Sequence, residues 1–575
     1  MAIHQHVLAL VELCARKGLH HAVISPGSRS APLTLALARH PHIKTYVVAD
    51  ERSAGFIALG LAQQLRMPVI VVCTSGSAVY NLAPAVAEAY FQETPLLLLT
   101  ADRPKEWIHQ LDGQTIYQQD IFGKHVRYSA ELPADYGHPD AAWAAERIAN
   151  EAINQSLLAP RGPVHLNIPL REPLYPVEGE AYQFPAVREI EQLTSVPALA
   201  PSTWHRLQEE WERADRKLIA VGQHRSDGGL RKVLAQLGDE WAVPILGDSI
   251  ANLGSAGPFI GAQDVFMGNL PDAAAADLRP DLLITCGQSF LSKGFKQFLR
   301  KYKPRQHWHI QAAGPLADPF QTVTMLIPYE PRLFFQKLFE DLDFQRMKEG
   351  DEEVDPVFRN AWLAKEQASR RFMHQFLNRE ETFSEFGAVR QVLEALPGNS
   401  QLHAANSMPV RYVNLCGVGE SVEVFANRGT SGIDGCLSTA VGAALASPDT
   451  LVTALIGDVA FFYDRNALWN AHVPANLRIV LLNNHGGNIF RIIEGPSRQP
   501  ELETFFETPH SFSGENTARD AGVGYQLAAG FESLPAGLDW LYAPSTSARL
   551  LEIQTDRAVN AEVFGRYREG AKALF

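Results

Sequence analysis

Short apolar runs, each ending in small or polar residues and followed by a helix-like stretch, recur along this 575-residue chain. In the first third they are HAVISPGS (21–28), TYVVADE (45–51), PVIVVCTSGS (68–77), PLLLLTADR (95–103) and PVHLNIP (163–169). Runs apolar on both faces suit a buried parallel sheet, where ligands gather beyond the C-terminal ends of the strands. The rhythm returns twice. KLIAVG (217–222), AVPILGD (242–248) and DLLITCG (281–287) form a second set, and SQLHAANS (400–407), TLVTALIGD (450–458), LRIVLLNN (477–484) and RLLEIQTDR (549–557) a third. Between the first two sets, Glu172 to Ser202 is rich in Pro and Glu without sustained periodicity and reads as a linker, with the next domain starting near Trp204. The acidic stretch KEGDEEVDPVF (348–358) and a long helix-like segment precede the third set. A prior of about 150 residues per domain suggests three or four units. The expectation is an α/β fold of three tandem α/β domains with mainly parallel sheets, over 1–175, 200–345 and 375–575. No short-period repeat points to a solenoid.

Charge and cysteine use narrow the function. A formal net charge of −13 opposes a surface built for nucleic acid or anionic lipid, so an anionic ligand must be met by local cations. Cys14, Cys73, Cys286, Cys416 and Cys436 are scattered, with no Cys-x-x-Cys pair, which fits a reducing cytoplasm. The N-terminal MAIHQHVLALVELCARKGLHH reads as an amphipathic helix rather than a signal peptide, and no run of about 18 uncharged apolar residues suggests a membrane span. A cytoplasmic protein is expected.

The most specific local signal lies in the third set. Gly457-Asp458 ends one strand, 24 residues follow (459–482), and Asn483-Asn484 ends the next, a spacing that one strand-helix-strand crossover fills. Mg²⁺ takes oxygen ligands in a near-octahedral shell that usually includes phosphate or water. The Asp458 carboxylate, the Asn484 amide oxygen and the Gly486 carbonyl could supply the protein's share. Gly457, Gly486 and Gly487 would let the backbone approach a diphosphate closely. Taken singly, each feature is also what an ordinary turn looks like. Together they resemble the thiamine diphosphate-binding motif of enzymes using that cofactor, with Val459 where most have Gly. Such enzymes need a carboxylic acid facing the cofactor's aminopyrimidine. Glu51, ending TYVVADE, is placed for that role, and burial would raise its pKa. The alternative is a solvated cap beside Arg52.

Five segments, SPGSRSAPL (25–33), DERSAGFIALGLA (50–62), TSGSAVYNLAPAVAEA (74–89), DRP (102–104) and NRGTSGIDGCLSTAVG (427–442), resemble one family. It is the 2-succinyl-5-enolpyruvyl-6-hydroxy-3-cyclohexene-1-carboxylate synthases of menaquinone or phylloquinone biosynthesis. The resemblance covers all three domains and implies the thiamine diphosphate-enzyme architecture. Residues read on their own agree with a substrate rich in carboxylates, since Arg29, Arg103, Arg411 and Arg428 fall at predicted strand ends or in their loops.

The resemblance implies thiamine diphosphate with Mg²⁺ or Mn²⁺, and the joining of 2-oxoglutarate to isochorismate with loss of CO₂. Matching motifs give Ser407, Arg411 and Arg428 to the oxo acid, and Ser28, Arg29, Arg103, Gln114 and Lys293 to isochorismate. Ile433 becomes the apolar wedge bending the cofactor, and Ile489, Phe490 and Ile493 an apolar wall. The chain departs from some relatives in having Lys293-Gly294 for a Lys-Arg pair, with Lys296 and Arg300 as nearby substitutes, and Gly113 before Gln114. The class also implies a homodimer or homotetramer with sites shared between subunits. Two rivals are an acetohydroxyacid-synthase-like carboligase, which shares Asp458, Asn484 and Glu51 and often carries FAD, and a regulatory nucleotide-binding protein. Basic residues such as Arg225, Lys293 and Arg305 leave room for a regulatory ligand in the middle domain.

Overall fold

The computed structural model describes all residues except 1–3, 196, 255–256 and 350–353. The first residues of the expected N-terminal helix and the centre of the acidic stretch therefore lie outside the described residues. Three six-stranded sheets, every pairing parallel, form the frame. The first contains β1 (His21–Ile24), β2 (Lys44–Val47), β3 (Val69–Cys73), β4 (Leu96–Asp102), β5 (Tyr128–Glu131) and β6 (Val164–Pro169). The second contains β7 (Lys217–Val221), β8 (Ile245–Gly247), β9 (Phe259–Ile260), β10 (Leu282–Cys286), β11 (Gln306–Ile310) and β12 (Met325–Ile327). The third contains β13 (Gln401–Ala404), β14 (Glu423–Phe425), β15 (Val452–Gly457), β16 (Leu477–Asn483), β17 (Gly524–Ala528) and β18 (Arg549–Gln554).

The central strands follow from composition: VIVVC in β3 and LLLLTAD in β4 are buried at every position. Helices flank them as the parallel crossovers require. Strands absent from the expectation are short or polar. YSAE in β5 and GYQLA in β17 are edge strands, and β9, β12 and β14 span two or three residues. β11, QHWHI, carries two histidines that bond the Thr285 hydroxyl, and burial pushes His307 down to about 3.

The first and third sheets share one topology. Their strand orders, β2-β1-β3-β4-β6-β5 and β14-β13-β15-β16-β18-β17, coincide when twelve is subtracted from each strand number of the third. The middle sheet, β12-β11-β10-β7-β8-β9, is wound differently. The two alike sheets meet through corresponding helices, Glu51–Leu65 after β2 and Cys436–Ala446 after β14. A Cβ on Gly60 would lie 2.0 Å from the Thr439 carbonyl oxygen, and one on Gly442 would lie 2.0 Å from that of Ile57. Backbone touches backbone, and one continuous apolar core runs from Val23 and Val71 through Phe56, Leu437 and Val441 to Ile479.

Arg225 joins all three units. From the loop after β7 it pairs with Glu423 at 2.9 Å, donates to the Gln63 carbonyl and to Gln64, and lies over the Phe425 ring. Its guanidinium is thereby committed to structure, which corrects the expectation that it might serve a regulatory ligand.

The helix crossing predicts an asymmetry between two helical glycines. Ala in place of Gly should gain about 1 kcal/mol from helix propensity alone. Gly565→Ala, with nothing within 4 Å of the new methyl, should keep or raise the thermal midpoint. Gly60→Ala should lower it, by about 1–3 kcal/mol of overpacking or more. Equal midpoints would show that the helices separate without cost.

Candidate functional site

β15 and β16 lie side by side with Gly457 opposite Leu482, so Asp458 and Asn484 emerge next to each other at the C-terminal edge of the third sheet. Asp458 is buried and begins the Asp458–Tyr463 helix. Its Oδ2 accepts the backbone N–H of Asn484 at 3.1 Å and of Gly486 at 2.9 Å, and its Oδ1 accepts that of Val459 at 2.7 Å. Three amides thus fix one carboxylate. The Asn484 side chain donates its Nδ2 to Glu385 Oε1 at 2.5 Å, while its Oδ1 is buried with no partner. A buried acceptor left unpaired is costly and calls for a ligand. Among the described residues no cluster of three His, Cys, Asp or Glu could hold a metal, so any ion here relies on one carboxylate and neutral oxygens. That donor set fits Mg²⁺ completed by phosphate or water.

Sequence reading missed two neighbours of this end. Burial, opposed by the Asn484 bond and reinforced by the Asp458 charge, pushes the Glu385 carboxyl up to about 7. His510 places Nε2 3.3 Å from Asp458 Oδ2 and, with Asn484, His485 and Arg557, lines an open cleft of about 770 Å³. The glycines need a correction. An added Cβ at Gly457 meets nothing, which leaves space for a ligand, but at Gly486 it would meet the Glu507 carbonyl at 2.9 Å and at Gly487 the Phe506 carbonyl at 3.2 Å. Those two glycines admit the 502–507 turn, an approach of backbone that the sequence did not suggest.

Glu51 is the first residue of its helix rather than the end of a strand run. Asp50 caps that helix, and Arg52 reaches across to the Tyr463 carbonyl at 2.7 Å, so the capping role considered for Glu51 belongs to its neighbour. The Glu51 carboxylate accepts from Asn81 at 3.3 Å and is partly exposed within one chain, so the burial expected of it is not met there. No hydrogen bond or ion pair among the described residues links Glu51 to Asp458, Asn484 or Gly486.

The arginines form two groups. Arg103 follows β4, pairs with Asp112 and donates to Ser75 Oγ at 3.1 Å and the Gln114 carbonyl at 3.3 Å. Arg29 lies within Coulombic reach of it, held by the Leu170 carbonyl at 3.0 Å and Glu172 at 3.4 Å, with Ser28 exposed alongside. The second group is Arg411 and Arg428. Arg411 is not in a loop, as expected, but on the first turn of the Met408–Cys416 helix, where it donates to the Ser407 carbonyl. Arg428 donates to Asn406 Oδ1 at 2.8 Å, while its Nε is buried without a partner. Glu88, also missed, clamps the loop carrying Arg428 by accepting from Gly429 N at 2.8 Å and Thr430 N and Oγ1 at 2.6 Å.

From the middle unit, Lys293 is exposed at the start of the Lys293–Lys301 helix. One turn on, Lys296 lies within Coulombic reach of Arg428 and donates to the Phe290 carbonyl at 2.7 Å. Arg300 turns away to the Pro319 carbonyl, and Arg305 is bonded only to the Arg213 carbonyl. Ile433 packs on the core in the loop before the Cys436–Ala446 helix. Ile489, Phe490 and Ile493 are partly exposed on and just after a single helical turn, which Arg491 anchors to the fully buried Glu507 at 2.7 and 2.6 Å.

If Asp458 and Asn484 hold a divalent ion, Asp458→Ala should abolish Mg²⁺-dependent retention of thiamine diphosphate on gel filtration. Val459→Ala, which keeps the backbone N–H bonded to Asp458, should retain it. Retention by both variants would place the ion elsewhere.

Two family descriptions match the chain: thiamine pyrophosphate enzyme, N-terminal TPP binding domain, over residues 6–125, and thiamine pyrophosphate enzyme, C-terminal TPP binding domain, over residues 411–529. Both alike sheets are therefore matched, and thiamine diphosphate is the cofactor that these domains bind. Among its relatives are proteins named 2-succinyl-5-enolpyruvyl-6-hydroxy-3-cyclohexene-1-carboxylate synthase. That of Cytophaga hutchinsonii is 41% identical over 98% of each chain, that of Flavobacterium johnsoniae 38% over 97% of each, and that of Desulfotalea psychrophila 37% over 92% of this chain and 94% of its own. Likeness at this level runs through the middle unit as well, and on that ground the chain belongs to the 2-succinyl-5-enolpyruvyl-6-hydroxy-3-cyclohexene-1-carboxylate synthase family of thiamine diphosphate enzymes.

Proposed function

We propose that this protein joins 2-oxoglutarate to isochorismate with loss of CO₂, giving 2-succinyl-5-enolpyruvyl-6-hydroxy-3-cyclohexene-1-carboxylate for menaquinone or phylloquinone synthesis. The observation that carries the reading is the near full-length likeness to proteins named for that product. Thiamine diphosphate, when bound, supplies a nucleophilic carbon and an electron sink for decarboxylation. Asp458, the Asn484 amide oxygen and the Gly486 carbonyl hold Mg²⁺, or Mn²⁺ in its place, with Gly457 and Val459 beside the diphosphate. Glu51 would hold a proton toward the aminopyrimidine, Ile433 would pack against the ring system, and Ile489, Phe490 and Ile493 would keep water from the site.

The two arginine groups divide the substrates. Ser407, Arg411 and Arg428 hold the carboxylates of 2-oxoglutarate, a role that the unpaired Arg428 Nε supports. Ser28, Arg29, Arg103, Gln114 and Lys293 hold isochorismate, and Lys296 supplies the cation that Gly294 does not. Enzymes of this class draw each site from two subunits, and the partial exposure of Glu51 within one chain supports a homodimer, or a tetramer built from it, in which each site takes Glu51 from one subunit and Asp458 from the other.

Incubation with thiamine diphosphate, Mg²⁺, 2-oxoglutarate and isochorismate should consume isochorismate and yield an adduct heavier by a succinyl semialdehyde unit, and Glu51→Gln should abolish it. CO₂ release without an adduct would reject the substrate assignment. Shared sites predict complementation. Glu51→Gln and Asp458→Ala, each inactive alone, should on subunit exchange regain about a quarter of the wild-type sites, since half the dimers are mixed and one of their two sites is intact. No recovery after demonstrated exchange would place Glu51 and Asp458 in the same subunit's site.

A further inference from the structure

Nothing in the family pattern above assigns a role to Glu385. It opens the Glu385–Glu394 helix, capped by the Ser384 side chain, and its own backbone N–H is tied to Asn560 Oδ1 at 2.9 Å. The residue is 2% exposed, so burying its charge needs a purpose beyond helix capping. Its carboxylate takes the Nδ2 of Asn484 at 2.5 Å, with Tyr412 and Asn488 approaching the same group. An asparagine amide can present either its oxygen or its nitrogen to a given point, and only the oxygen can ligate a cation. The bond from Nδ2 to Glu385 Oε1 turns Oδ1 the other way, where it lies buried with no partner. Two acids thus share the loop after β16: Asp458 fixes its backbone and Glu385 its side chain.

We propose that Glu385 is a positioning residue, which orients the Asn484 amide so that its oxygen, rather than its nitrogen, faces the divalent cation. The inference rests on Asn484 being a ligand. The test is Mn²⁺ affinity measured by electron paramagnetic resonance in the presence of thiamine diphosphate, without substrates. Glu385→Met removes the acceptor and should weaken Mn²⁺ binding about 10–100-fold, the usual cost of losing an outer-shell partner. Glu385→Gln, whose amide oxygen can still accept, should recover most of the loss.

The discriminating arm uses Asn484→Asp, in which both side-chain oxygens are equivalent and nothing remains to orient. In that background Glu385→Met should not weaken Mn²⁺ binding. Equal losses in both backgrounds would assign Glu385 a role in charge or packing and overturn the proposal. Should Glu385→Met not fold, Glu385→Ser in the two backgrounds, each checked by its thermal midpoint, carries the same comparison. Asn484→Ala separates the two failures: wild-type Mn²⁺ affinity in that variant would reject Asn484 as a ligand, whereas loss there with no effect of Glu385→Met would reject only the positioning role.

Discussion

The close approach between the helices carrying Gly60 and Gly442 is the constraint on which the site depends. A side chain at either position would have to occupy space within 2.0 Å of a carbonyl oxygen of the facing helix. Contact at that range brings the two alike sheets together along their corresponding helices, and short polar bonds follow at the ends. Asn466 donates to Asp50 at 2.8 Å, and Arg52 reaches the Tyr463 carbonyl at the start of the first helix. Beyond the other end of the pair, Glu88 holds the loop before the second helix, and with it Arg428. The placement of Glu51, Ile433 and Arg428 is thus a consequence of two missing side chains.

Electrostatics differ between the two arginine groups in a way that matters for an acidic protein. Arg29 and Arg103 are already paired with Glu172 and Asp112, so a ligand carboxylate there must displace protein carboxylates. Arg411 and Arg428 instead rest on neutral oxygens, a backbone carbonyl and an amide. Arg428 is met at longer range by Glu88 and then the buried Asp248, and Arg411 by the buried Asp264. The second group is therefore less neutralised by direct ion pairing than the first. Net charge alone, at −13, would have hidden both.

Much of this was legible in the chain because parallel strands buried on both faces leave continuous apolar runs, and β3, β4, β10, β15 and β16 all carry them. Edge strands such as β5 and β17 bury less and carry polar residues, so their runs fade. The Asp458 and Asn484 pair was visible because a single crossover fixes its spacing. Glu385 and Glu88 were not. Each sits in a helix about a hundred residues or more from what it binds, Asn484 in the one case and Gly429 in the other, and nothing local sets them apart from solvated acids. Ser384-Glu385 reads as an ordinary helix start. The packing role of Gly486 and Gly487 was hidden for the same reason, since the backbone they admit returns from residues 502–507.

If the proposed ion binds at Asp458, the loop around it is ordered before the ion arrives. Three backbone N–H groups converge on Asp458, and they hold its carboxylate without using up all of its acceptor sites. Glu385 lies buried close by, and the Asp458 charge adds to the burial that pushes its carboxyl up. His510 places Nε2 3.3 Å from Asp458 Oδ2, the oxygen that also takes two of the amides. A site arranged in this way loses little conformational freedom on binding, because the loop is already fixed by hydrogen bonds. Ion binding and stability of the third sheet are therefore linked through the same few side chains.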